Sequence, residues 1–170
     1  MTVVTFDSIK DHNTKLIRKA LEGSIFMKRW ADDDLPITQV YKSATGLVIP
    51  VGYFDVGVIR KADASTWNRD TETSDVESWG YGDPTRRDII KDTSTCQFTM
   101  QESKRHVLEV YNSTDLSGVQ ADADGNVIVD KPRIPQALRW RMFSLAKDGD
   151  GADAVYFLRA MPNCQVTAIA

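Results

Sequence analysis

With 170 residues, the chain is long enough for one domain to bury roughly 70% of its unfolded surface without a disulfide or a structural metal. Twenty-four acidic residues against 21 basic ones leave a formal charge of −3, which argues against a protein that grips nucleic acid through its phosphates. The opening MTVVTFDSIKDHN lacks the basic, apolar, small-residue order of a signal peptide, and no later stretch is as long as a membrane span. The expectation is one soluble domain over 1–170, made in a cytoplasm, with an N-terminal arm and short helix at about 1–23.

In chain order, Asn13 caps that helix, Leu16, Ile17, Ala20 and Leu21 form its apolar stripe, and Gly23 stops it. SIFMKRW (24–30) follows, then an acid cluster, Asp32–Asp34, expected in a solvated loop, and a turn at Pro36 into Ile37–Tyr41. From Leu47 the pattern turns to strands, LVIPV and GYFDVGVIRK carrying β-branched and aromatic residues between glycines. A polar stretch, Lys61–Asp70, separates these from a strand at Thr71–Trp79. That strand places Thr71, Thr73, Asp75, Glu77 and Trp79 on one face and Glu72, Ser74, Val76 and Ser78 on the other, and neither face suits a core.

Past a turn at Gly80–Pro84, the stretch from Arg86 to Gln101 sets Cys96, Phe98 and Met100 against Thr93, Thr95, Gln97 and Thr99, a half-buried strand. A helix over about 101–112 then lines Val107, Leu108 and Tyr111 on one side, with Glu102, Lys104, Arg105 and Glu109 mainly outside, and is expected to lie against a sheet. DADGN (122–126) is a turn before Val127–Val129, because Asp-Gly and Gly-Asn accept positive backbone dihedrals. Three closing strands are expected. Leu138, Trp140 and Met142 face away from Arg139 and Arg141, the KDGDGAD turn reverses the chain, Ala154–Arg159 is apolar on both faces, and Gln165–Ala170 ends it. Seven to nine strands and one substantial helix make the expected fold mainly β, a β-sandwich or open barrel with a flanking α-helix.

Signals for chemistry are weak. The acidic turns around Asp122, Asp124 and Asn126, and around Asp148, Asp150 and Asp153, lack the closing Glu and flanking helices of a calcium hand. His12 and His106 show no paired spacing with Cys96 and Cys164 that would make a zinc site. Solvated histidines and packed thiols are the simpler reading. No nucleophile elbow, phosphate loop or dinucleotide fingerprint occurs. Asp75 and Glu77 share a strand face, but nothing nearby in sequence marks one as an acid, so no catalytic residue, cofactor or metal is expected.

The stretch WGYGDPTRRDIIKDTSTCQFTMQESKRHVLEVY (79–111) resembles the major tail tube proteins of long-tailed, siphovirus-like bacteriophages, especially those infecting actinobacteria. The residues that carry the likeness are Trp79, Gly80, Pro84, Arg86, Phe98, Glu102, Val107, Leu108, Glu109 and Tyr111. The closing DKPRIPQALRWRMFSLAKDGDGADAVYFLRAMPNCQVTAI is similar to the last hairpin of that family, and the likeness runs from about Gly46 onward. Many relatives carry a further domain after the last strand, where this chain stops.

The resemblance implies a phage tail tube fold and a structural virion protein, assembled in the host cytoplasm. Six subunits would form a ring, and stacked rings a hollow tube for DNA delivery. The implied partners are copies of the same chain, the tape measure, tail terminator and tail tip proteins, and DNA in transient passage without specific binding, with no membrane. Within it, Asp75 and Glu77 are candidates to face the lumen, where negative charge keeps DNA from sticking. Trp67 and Arg69 are candidates for ring-to-ring contact, since interfaces favour Trp and Arg, although a lone Trp in a polar stretch often packs on its own domain. Arg139 and Arg141 fit a solvated face better than a channel that DNA must leave. The alternatives are a monomeric β-sandwich module binding sugar or peptide through Trp67, Trp79 or Tyr81, and the tube protein of a contractile secretion system.

Overall fold

The structure, a computed structural model, describes residues 10, 12–20, 22–30, 40–42, 46–130, 133, 137–151 and 154–169. The expected loop at Asp32–Asp34, the turn at Pro36 and Ile37, and Asp153 lie outside them. Strand β1 (Glu22–Arg29) alternates, with Ile25 and Met27 buried and Ser24, Phe26 and Lys28 half-buried. It pairs antiparallel along its length with β7 (Arg139–Asp148), Glu22 opposite Lys147 and Arg29 opposite Trp140. On its other side it meets the two-residue β4 (Phe54–Asp55). After the Gly-rich turn, β8 (Val155–Gln165) returns along β7, so the sheet order is β4-β1-β7-β8. Two ribbons stand apart from this sheet, β2 (Tyr41–Lys42) with β3 (Gly46–Leu47), and β5 (Thr66–Val76) with β6 (Arg86–Gln97).

The core sits on one face of the four-stranded sheet. Ile25, Met27, Trp140 and Met142 cluster there with Val56 and with Val110 of helix α1 (Arg105–Asn112). The expected alternation of Leu138, Trp140 and Met142 therefore holds, with Leu138 partly buried against the same cluster. The other face is apolar at one point as well. Phe143 is wholly buried, stacked on Phe26 at 5.0 Å between centroids and met by Tyr53 at 5.1 Å. The chain is thus mainly β with antiparallel sheets and a helix against a sheet, as expected. Among the described residues these strands make one sheet and two ribbons.

Several expectations are corrected. The N-terminal helix is a single 3-10 turn, Thr14–Leu16, with Leu16 and Ile17 exposed, because a stripe this short is marginal without a surface to pack on. The strands expected over 47–61 reduce to β3, β4 and one bridge, Ile59 to Met100. Strand β5 starts at Thr66 and ends at Val76, five residues earlier than expected at its start, since Trp67 pairs with Cys96 and packs against the core. The strand expected at Ala154–Arg159 runs on to Gln165, and the last strand expected at Gln165–Ala170 does not form over 166–169. Between Trp140 and Met142 the ladder passes from Cys164 to Met161, so the extra residue falls at Pro162–Asn163 and the proline, which offers no N–H, is absorbed in a bulge.

Helix α1 begins at Arg105 and not near Gln101, because the segment before it is spent on the strand-like run 56–60. The Gln101 N–H donates to the Val58 carbonyl at 2.9 Å, and the Glu102 carboxylate accepts the Val58 N–H at 2.7 Å while holding Lys104 at 2.7 Å. Those bonds keep the Glu102 carboxyl below its ordinary range, Lys104 first and Val58 next. Gly57 makes this approach possible: its φ is +86°, and a Cβ there would run into the Glu102 carboxylate. Glu109, expected outside, is buried. It accepts the Leu116 N–H at 3.3 Å and lies 3.2 Å from His106 Nδ1, tying the chain after the helix back onto it. Tyr111, expected on the buried side, is exposed, and the face that packs is Val107 and Val110.

Cys96 and Cys164 are free thiols packed against the core. Burial pushes both up to about 11, with the neighbouring Cys164 a second cause for Cys96. Both are therefore protonated at neutral pH and poor nucleophiles. In the folded chain at pH 7.5 they should react with iodoacetamide at least about tenfold more slowly than in denaturant, followed by mass spectrometry. Phe143→Ala should lower the stability of the dissociated chain by about 3–5 kcal/mol in urea unfolding. The exposed Ile17→Ala should change it by no more than about 0.5 kcal/mol.

Candidate functional site

The hairpin β5–β6 is the most unusual element. Its 11 residues in β5 span about 36 Å at the usual rise per residue. Only its base is held: Trp67 and Cys96 face each other against the core, and the Arg159 guanidinium lies 5.7 Å from the centre of the Trp67 ring. From Asn68 to Val76 every residue is exposed, on both faces. A two-stranded ribbon standing in water is marginally stable at best, and here cross-strand ion pairs brace it. Arg69 grips Asp92 through two bonds of 2.8 and 2.7 Å, and Arg87 grips Asp75 through two of 2.7 and 2.8 Å. Bonding to the guanidinium holds the Asp75 carboxyl, and likewise the Asp92 carboxyl, below the usual range.

Trp67, Arg69 and Asp75 thus lie on one face of one strand, although the sequence assigns them to two different surfaces. Trp67 packs on its own domain, Arg69 and Asp75 are each paired within the hairpin, and Glu77 lies just past the end of β5. The ladder carries one bulge, where Lys91 pairs with Glu72 and Ile89 with Thr73, leaving Ile90 as the extra residue. Ile89 and Ile90 are both exposed.

At the end of the hairpin, residues 77–85 form an ordered turn. The Thr85 N–H donates to the Val76 carbonyl at 2.9 Å, the Tyr81 N–H to Ser78 at 3.3 Å, and the Ser78 and Thr85 hydroxyls share a bond of 2.8 Å. Gly80 takes φ +85°, a conformation few other residues accept. Trp79 is completely exposed and Tyr81 is 73% exposed. The only charged residues of this turn are Glu77 and Asp83.

The second uncovered surface is the edge of the main sheet. Strand β8 pairs with β7 on one side, and among the described residues no strand pairs on the other. Tyr156, Phe157 and Leu158, which point alternately to opposite faces, are all exposed at about 40%. An open, apolar edge is a template for pairing with another chain.

Beside α1 lies an open depression of about 290 Å³ lined in part by Phe54 and by Trp140, which is itself buried. Lys28, Arg29 and Arg105 bring three cations to it, against the carboxylates of Glu109 and Asp115. Arg29 holds Asp115 at 3.1 Å and lies over the Trp140 ring, and His106 is stacked on Phe54 at 4.4 Å rather than free in solvent. The buried Arg29 Nη2 and Trp140 Nε1, both donors, have no hydrogen-bond partner among the described residues. These residues come from β1, β4, α1 and β7, so no local spacing in the sequence announces the cavity.

The acidic turns are occupied with their own backbone. Asp122 accepts the N–H groups of Asp124 at 3.0 Å and Asn126 at 2.7 Å, and Lys147 holds Asp150 at 2.8 Å. Among the described residues no three His, Cys, Asp or Glu converge as a metal site. Arg139 is exposed with its guanidinium 5.6 Å from the centre of the Trp30 ring, and Arg141 is half-buried. No described helix is long and apolar enough to cross a membrane. No protein-family model, curated protein or solved structure matches the chain, so the likeness to tail tube proteins rests on the residues that carry it.

Proposed function

We propose that the chain is a structural subunit that completes its fold by docking against copies of itself, as the tube-forming protein of a phage tail. The observation that carries the reading is strand β8. Among the described residues it is the open edge of the main sheet, and its first half exposes apolar side chains on both faces. In a monomer such an edge promotes aggregation, whereas in a ring it is the surface through which one subunit adds to the next. Six copies joined this way would form a ring around a channel, and stacked rings would make the conduit.

The hairpin supports the same reading. Its polar surface suits a wall in contact with water, and the pairing of Asp75 with Arg87 and of Arg69 with Asp92 leaves few free cations to retain a passing phosphate chain. Such a surface presents DNA with charges that are already satisfied, and the same pairing stiffens the ribbon that carries them. The remaining tail proteins, the tape measure, terminator and tip, would contact the ends or the interior of the tube.

The purified chain should form rings or tubes in negative-stain electron microscopy as its concentration rises. A monodisperse monomer at high concentration would instead favour the binding module. Leu158→Lys places a charge on the open edge, as natural edge strands do. It should abolish the assemblies while leaving the thermal unfolding midpoint of the dissociated chain within a few degrees of the parent, and assembly by this variant as readily as by the parent would refute the role given to β8.

A further inference from the structure

Resting on the assembly reading above, we infer that the strand a neighbouring copy lays along β8 is β5, the first strand of its long hairpin. In an antiparallel pair every second residue turns its N–H and C=O away from its partner. The ribbon β5–β6 therefore has an open edge on each side, and beyond Trp67 both faces of β5 are exposed. Two of its charges are satisfied within the ribbon, Arg69 by Asp92 and Asp75 by Arg87, whereas the outward backbone groups of β5 meet no other strand among the described residues. The free side of β8 has the same deficit. A two-stranded ribbon is marginal alone and an uncovered sheet edge invites a strand, so one contact supplies what both elements need.

Two features choose β5 over β6. Lysine, proline and bulges are what protect a natural edge from pairing. Strand β6 carries Lys91 and the extra residue Ile90, whereas β5 has no lysine, no proline and no extra residue. Charge makes the same choice. Strand β5 sets Arg69 against Asp70, Glu72 and Asp75, β8 has Arg159 and no acid, and β6 sets Arg86, Arg87 and Lys91 against Asp88 and Asp92. An acidic strand thus meets a basic edge, while β6 would bring like to like. The lengths agree as well: β8 offers residues 155–161 before Pro162, which has no N–H to give, and β5 offers its exposed run 68–76. The source is a second copy, because within one chain Trp67 lies against the Arg159 guanidinium and β5 pairs only with β6 among the described strands. Strand β8 paired with its own counterpart would stop at two copies, whereas β5 on β8 is head-to-tail and continues until a ring closes.

A disulfide trap tests this. Chains carrying Leu158→Cys are mixed with chains carrying Asp70→Cys, Thr71→Cys, Glu72→Cys or Thr73→Cys in turn, assembled, oxidised with dithiodipyridine, and the linked peptides identified by mass spectrometry. Side chains directly opposite across an antiparallel ladder have Cβ atoms about 5 Å apart, near the spacing a disulfide needs, so at least one of the four positions should trap at least about tenfold more linked chain than Thr93→Cys or Thr95→Cys on β6, or than Leu158→Cys alone. Hydrogen exchange of the unaltered protein needs no variant: on assembly the outward amides within 68–76 and 155–161 should slow at least about tenfold. Where a cysteine chain fails to assemble, that measurement decides. Assembled material linked through β6 or between two β8 strands, assembled material with no link to β5, or assemblies whose β5 amides exchange as in the free chain would overturn the pairing with β5 and leave the assembly reading standing. A parent chain that makes no assembly at all overturns both.

Discussion

Strand β7 is the member on which the rest of the molecule depends, because among the described residues it is the one long strand paired along its length on both sides, with β1 and with β8. Its Trp140 and Met142 form the floor of the core, and its Phe143 anchors the opposite face. The helix that covers the sheet among the described residues is small by comparison. The eight residues of α1 extend about 12 Å, whereas ten residues of strand run about 33 Å. Val110 of the helix meets Ile25, Met27, Trp140 and Met142, toward one end of β7. The far end of β8, Tyr156 to Leu158, lies opposite Leu145, Ala146 and Lys147, away from that cover, and there the apolar side chains are exposed. Among the described residues the open surface therefore goes with a short helix on a long sheet.

The same disproportion shapes the hairpin. Its base is fastened by Trp67, Cys96 and Arg159, and beyond that point the ribbon has no layer on either face. Exposed ion pairs contribute little to overall stability, so their effect here is local: they keep two strands in register over a length where no packing does so. A register slip of one residue would exchange the two faces, and the bidentate Arg69–Asp92 and Arg87–Asp75 pairs sit on either side of the bulge at Ile90 to oppose it.

Much of this was legible in the sequence where the pattern is local. The alternation of Cys96, Phe98 and Met100, that of Leu138, Trp140 and Met142, the turn at Asp122–Asn126 and the reversal after Asp148 all depend on neighbours a few residues apart. The absence of a core face in Thr71–Val76 and the two apolar faces of β8 were visible for the same reason. The missed features depend on distant partners. Nothing local shows that Glu102 is drawn to Val58 and delays the helix, that Glu109 is buried under Leu116, or that Pro162 sits inside one strand and does not separate two. Trp67 was placed in a polar stretch because its burial comes from contacts outside its own strand. The cavity was invisible, since Lys28, Phe54, Arg105 and Trp140 are brought together only by the fold.

A tube needs two kinds of contact, one that closes and one that propagates, and a single chain must supply both from different surfaces. The open edge of β8 lies in the plane of the main sheet, where addition of a neighbour's strand continues the ladder sideways and can close a ring. The hairpin leaves that sheet and carries its exposed turn away from the core. In the proposed assembly, two separate surfaces would let each contact be weak alone and strong in combination, because a subunit held at one would present the other at high effective concentration. Individually weak contacts also keep the free chain from polymerising at random, so growth would proceed where both surfaces can be engaged at once.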